Sequence, residues 1–197
     1  MVKQALVIGG GPAGLMAAEQ LLAAGLGVTI TEAKPSFGRK FLMAGKSGLN
    51  LTKDEPSDEF GAQFYEAAPL LTPMLKRFGP QQMRAWADAL GAEVFTGSSG
   101  RVFPKAMKAS PLLRAWLGRL SKDGAEFKTR WRWTGWQEGG YGFDTPEGRV
   151  VQPADVCVLA LGGASWARLG SDGAWASILA EKGVSLAPFL PANAALN

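Results

Sequence analysis

Gly9, Gly11 and Gly14, within the run Gly9-Gly10-Gly11-Pro12-Ala13-Gly14, have the spacing GxGxxG, and Glu32 follows at the end of the next apolar run. Residues of these types in this order can hold a dinucleotide by its phosphates and a ribose. The first glycine permits a tight turn, the second lets a pyrophosphate approach the backbone, and the third lets a helix pack closely on a strand. Unpaired N–H groups and partial positive charge at the helix start meet the phosphates, while Glu32 accepts from ribose hydroxyls. Either FAD or NAD offers such a ribose, so Glu32 alone leaves both open.

That chemistry requires strand, turn, helix and second strand in succession. Ala5 to Ile8 is a short apolar run, Leu15, Ala18, Leu21 and Leu22 recur at helical spacing, and Val28 to Thr31 is a second strand ending in Glu32. In a chain with 26 glycines the string alone means little, and this context makes it specific. The glycines also interrupt the opening apolar run, and Glu19 and Gln20 follow, a pattern that fits neither an export signal nor a membrane span. A cytoplasmic protein without membrane association is predicted.

Composition narrows the chemistry further. The 197 residues are 47% hydrophobic and 19% charged, enough apolar content for a globular α/β core. With no histidine, Ser-His-Asp catalysis, Cys-His catalysis and histidine-containing metal sites are excluded, and no metal is expected. Cys157 is the single cysteine and reads as a packed core thiol in a reducing compartment.

Lys34 to Thr52 is rich in Gly, Lys and Ser with little periodicity, and is predicted to be an ordered loop near a ligand, where Arg39 and Lys40 pair with phosphates or a flavin carbonyl. Gly45-Lys46-Ser47 resembles the end of a phosphate loop, but that spacing needs glycine where Lys40 stands. Phe60 to Leu90 is helical in pattern, with Pro80 in a first turn, and Val94-Phe95 and Arg101 to Phe103 are short strands about a turn. Ser110 as N-cap and Pro111 as first residue open an amphipathic helix that closes at Gly124. Phe127, Thr129, Trp131 and Trp133 alternate with polar residues as one half-buried strand, continued by a small antiparallel meander through Val151. Tryptophans interleaved with arginines also suit single-stranded nucleic acid, but alternation puts them on opposite faces and a charge of +4 is modest, so no nucleic-acid partner is expected. Asp155 to Leu161 is predicted to be a buried parallel strand that runs into Gly162-Gly163-Ala164-Ser165, a second glycine turn able to reach the same ligand.

The segments VIGGGPAG, ITEAKPSFGRK, FLMAGKSGLNLTK, GRVFPKAMKAS, RWRWTGW and LALGGASWARLGSDG, in this order, resemble the BaiN-like and aminoacetone-oxidase-like NAD(P)/FAD-dependent oxidoreductases over essentially the whole chain. The resemblance implies an α/β, Rossmann-like FAD-binding domain of the glutathione-reductase type. It comprises residues 1–197, with 33–124 as a long loop and helical insertion, 125–151 as the β-meander and 152–197 as the return to the parallel sheet. It implies that Gly9, Gly11, Pro12, Ala13 and Gly14 hold the FAD pyrophosphate and Glu32 the adenosine ribose. Arg39, Lys40 and Asn50 would lie toward the flavin, Gly162 and Gly163 would support the cofactor, and the backbone of Trp133 would face the adenine. Many relatives carry Arg-Cys where this chain has Gly48-Leu49, so no role of that pair transfers, and no catalytic residue is assigned. Relatives also continue past the point where this chain stops, which implies a fragment or truncated product whose C-terminal part is missing.

The expected activity is transfer of a hydride or two electrons between a small organic donor and FAD, with NAD(P)H or oxygen as the other partner. Arg39, Lys40 or Lys46 would stabilise negative charge on the reduced ring. The alternatives are a nicotinamide-only dehydrogenase, a cofactor-binding remnant without turnover, and an RNA-binding flavoprotein.

Overall fold

Three short sequence segments build the centre of the molecule. In the computed structural model, which describes residues 2–45 and 48–190, β1 (Gln4–Ile8), α1 (Pro12–Ala23) and β2 (Gly27–Glu32) form a βαβ unit with parallel strands, Leu6 opposite Thr29 and Ile8 opposite Thr31. β6 (Glu126–Thr129) adds in parallel beside β2 and β10 (Val156–Leu159) in parallel beside β1, giving the order β10-β1-β2-β6. Side chains alternate across this sheet. Leu6 and Ile8 face a core shared with Trp133 and Phe143 of the meander, whereas Val7 lies toward α1, where Leu15 and Ala18 are buried. Complete burial of Leu6, Val7, Leu15 and Ile30 stabilises the unit by about 1.5–3 kcal/mol per side chain.

The close fit of α1 on β1 depends on Gly14. A Cβ there would lie 1.8 Å from the carbonyl oxygen of Gly9 and 3.3 Å from a methyl of Val7. Gly14→Ala is therefore expected to destabilise the fold by ~3 kcal/mol through overpacking, read as a lower urea midpoint. An unchanged midpoint would mean that helix and strand are not in this contact.

The stretch read as one strand from Phe127 to Trp133 is two strands in two sheets. Arg130, with φ of +60°, breaks the chain between β6 and β7 (Arg132–Gln137), while the N–H of Trp131 donates to the Glu32 carbonyl at 3.0 Å. The alternation of residue types runs on through this break, although Thr129 is exposed, so a period of two in the sequence could not reveal the change of sheet. β7, β8 (Gly140–Thr145) and β9 (Gly148–Gln152) form the expected antiparallel meander. Trp131 and Trp133 turn into its core, as their alternation implies. β10 is parallel as expected but not buried: among the described residues only β1 pairs with it, and Val156 is 39% exposed. α7 (Trp175–Glu181) follows it, and its Trp175, Ile178 and Leu179 pack on the same core.

Among the described residues, this sheet, its helices and the meander form one compact unit within 2–40 and 120–190, and those between 41 and 119 form another. The second unit holds α3 (Ser57–Ala62), α4 (Ala68–Arg77) and α5 (Pro80–Ala89), which divide the predicted helical region, with Pro80 in the first turn as expected. It also has a three-stranded antiparallel sheet of β3 (Thr52–Lys53), β5 (Arg101–Pro104) and β4 (Val94–Thr96), so the insertion is not only loop and helix. Arg84 joins Asp54 at 2.8 Å and Thr96 at 3.0 Å across these elements. Two expectations need correction. The predicted loop contains a short helix, α2 (Arg39–Ala44), whose six residues are too few to show an apolar stripe. The amphipathic helix α6 (Ala109–Lys122) begins one residue before Ser110, because Ala109 is itself buried with Leu112 and Leu49 and draws the first turn inward.

Candidate cofactor site

At the end of β1 the chain turns through Gly9, whose φ is +119° and whose N–H donates to the Thr31 carbonyl at 2.9 Å. A Cβ on Gly9 would lie 2.2 Å from the carbonyl oxygen of Ala160, so glycine is required as much by the approach of the second glycine segment as by the turn. Gly11 is the N-cap of α1, in extended backbone, and an added Cβ would meet nothing within 4 Å. Pro12 has no N–H to leave unpaired, no side chain caps the helix and its first turn holds no acid. The N–H groups of Ala13 and Gly14 are thus available, with the helix dipole behind them, to an anion over Gly11.

Glu32 sits beside this turn. Its carboxylate accepts from the Gly10 N–H at 3.1 Å and from the Lys34 N–H at 2.8 Å. Burial raises its pKa above the usual 4.5, against the opposing pull of those two N–H groups and of the Arg39 and Lys34 charges. Each carboxylate oxygen keeps a further lone pair for a hydroxyl.

Arg39 donates to the Ser36 hydroxyl at 3.3 Å, and its buried Nε has no partner among the described residues. The Lys40 ammonium donates to Ser165 Oγ at 2.9 Å and Ser171 Oγ at 3.2 Å, and Ser171 Oγ donates to the Gly163 carbonyl at 2.8 Å. The Gly162 carbonyl accepts from the Trp175 indole at 3.0 Å. The structure therefore brings together Gly9, Gly11, Pro12, Ala13, Gly14 and Glu32, and joins Lys40 to the turn of Gly162 and Gly163. Trp133 is 7% exposed, its backbone pairs with Phe143, and its buried Nε1 has no partner among the described residues. Asn50 belongs to the second unit, exposed in the stretch before β3, and Lys46 and Ser47 lie outside the described residues. Sequence reasoning did not find Lys34, Ser171 or Trp175 as parts of the site. Ser165 and Ser171, flanking the hairpin that Trp166 and Ser171 close, were the available signal.

Cys157 stands apart from this chemistry. Burial pushes its thiol up to about 11, with Tyr141 as a hydrogen-bonding neighbour, so it stays protonated in the core as expected. Among the described residues no group of three or more Cys, Asp or Glu is placed to hold a metal, and no helix is long and apolar enough to cross a membrane.

A parallel sheet whose first turn leaves open room over Gly11, with helix N–H groups at its mouth and a half-buried acid beside it, fits a dinucleotide and defines the protein as a Rossmann-type dinucleotide-binding domain. The chain belongs to the HI0933-like protein Rossmann domain family, whose model matches residues 3–189, in agreement with the resemblance drawn from its motifs. It is 30% identical over 194 residues to a 3-dehydro-bile acid delta(4,6)-reductase of Clostridium scindens, covering 94% of this chain and 45% of the relative. The chain thus spans about half of that relative's length.

Solved structures share the fold at low identity. A flavocytochrome c3 fumarate reductase in its open conformation superposes with a TM-score of 0.63 at 19% identity, over 82% of this chain and 34% of that one. The 3-ketosteroid-delta4-(5alpha)-dehydrogenase of Rhodococcus jostii RHA1 gives 0.59 at 14%, over 82% and 46%. THI4 of Thermovibrio ammonificans gives 0.54 at 20%, over 93% and 64%.

Proposed function

We propose that this chain is the FAD-binding part of a flavoprotein oxidoreductase that moves a hydride or two electrons between a small organic substrate and FAD, with NAD(P)H as electron donor. The observation that carries this reading is the meeting of two glycine segments at one place. A Cβ on Gly9 would lie 2.2 Å from the Ala160 carbonyl oxygen, and this proximity supports a single ligand bordered by both turns. Family membership and a relative named for a reductase activity support the direction of transfer.

Bound FAD would supply the two-electron chemistry, and the protein's work is to hold and orient it. Ala13 and Gly14 would donate to the pyrophosphate across Gly11, and Glu32 would accept from the adenosine ribose. Arg39 brings a positive charge and an unpartnered donor, which would favour negative charge on a reduced cofactor. Gly162 and Gly163 would border the cofactor from the second turn. No metal enters the scheme.

The purified protein is expected to show flavin absorption bands, and denaturation should release FAD, identified by its mass. Anaerobic NADPH should then bleach those bands. Release of a nicotinamide dinucleotide instead would overturn the flavin reading in favour of a nicotinamide-only dehydrogenase. Bound FAD that no donor reduces would overturn turnover by this chain and leave cofactor binding alone.

A further inference from the structure

Lys40 has an unusual set of neighbours for a cation. Among the described residues no carboxylate pairs with it, and it instead donates to Ser165 Oγ at 2.9 Å and Ser171 Oγ at 3.2 Å. Both serines lie far along the chain, in the loop after β10, and Ser171 is 3% exposed. An ammonium has only protons to give, so Ser171 Oγ must act as acceptor toward Lys40. Its single proton is then directed to its other neighbour, the Gly163 carbonyl, at 2.8 Å.

The consequence falls on the peptide planes. In a trans peptide the carbonyl and the following N–H point in opposite directions. Holding the Gly163 carbonyl on Ser171 therefore aims the Ala164 N–H away from Ser171. Holding the Gly162 carbonyl on the Trp175 indole, at 3.0 Å, likewise aims the Gly163 N–H away from Trp175. Neither N–H has a protein partner among the described residues.

We infer that Lys40 is a positioning residue: through Ser171 it orients the Gly163–Ala164 peptide so that the second glycine turn presents N–H donors to the cofactor, without Lys40 touching the cofactor itself. This rests on the FAD reading above and adds what sets the turn. It also separates Lys40 from Arg39, whose orphaned Nε is free for a ligand.

FAD dissociation and tryptic cleavage after the exposed Arg168 can be measured together in wild type, Lys40→Met, Ser171→Ala, the double variant and Lys40→Arg. Each single variant is expected to release FAD about tenfold faster, as for loss of one oriented hydrogen bond, and the double variant no faster than the worse single one. Lys40→Arg, which can still donate to both serines, should restore most of the retention. In apoprotein, Lys40→Met and Ser171→Ala should both speed cleavage at Arg168, a measurement that needs no bound cofactor. Additive losses in the double variant would mean that Lys40 contacts the cofactor directly and would overturn the inference. So would single variants that match wild type in both measurements. Failure of the wild type to retain FAD would instead remove the cofactor reading, while the cleavage rates would still decide whether Lys40 orders the turn.

Discussion

Gly11→Val is expected to strip the protein of flavin while leaving it folded. The backbone at Gly11 has φ −84° and ψ −179°, a region open to any residue, and nothing lies within 4 Å of the added Cβ. The variant should therefore cost at most about 1 kcal/mol at the N-cap, or ~3 °C in Tm. The new methyl groups would fill the space where a pyrophosphate meets the Ala13 and Gly14 N–H groups, and FAD affinity should fall by about a hundredfold or more. Titration of FAD fluorescence alongside a circular-dichroism melt checks both halves. Full flavin content in a folded variant would move the phosphates elsewhere. Gly14→Ala makes the opposite separation, since its added methyl meets the protein itself.

Removing the Glu32 carboxylate should have the second large effect. Glu32→Ala deletes the acceptor for a ribose hydroxyl and is expected to weaken FAD binding by ~1.5–3 kcal/mol. It also frees the Gly10 and Lys34 N–H groups, so some stability should be lost with it. The carboxyl has its own signature in pH. Because burial raises its folded pKa above 4.5, its contribution to folding is fully present below that value and is lost as pH rises through the raised one. Cofactor binding runs the other way, since a hydroxyl donates to the ionised form. FAD affinity should therefore decline as pH falls through the raised pKa toward 4.5, and Glu32→Gln should flatten that decline. A wild-type affinity constant across this range would place the ribose away from Glu32.

The first half of the site was legible because each glycine of the motif answers a separate steric demand at fixed spacing, and β1, α1 and β2 follow one another without interruption. The second half was legible only as a glycine turn after an apolar strand. Ser171 gained its role from Lys40, 131 residues away, a relation no local pattern encodes. Trp133 was correctly read as facing inward, but the sheet it joins was not, because the backbone changes direction at Arg130 while the residue types go on alternating. Ser110 had the composition of a cap but lies inside the helix, which already begins at the buried Ala109. Val156 to Leu159 is apolar enough for a central strand, yet among the described residues only β1 pairs with it, and it lies at the sheet edge.

The separation of Gly9 from Ala160 has a consequence for protein engineering. A chimera that imports the opening turn from a homologue, with any side chain at position 9, would collide with the host's own main chain 151 residues downstream. The two bends must therefore be exchanged as a matched pair, and recombination libraries with crossovers between them should lose folded members wherever the parents differ in how closely those bends approach.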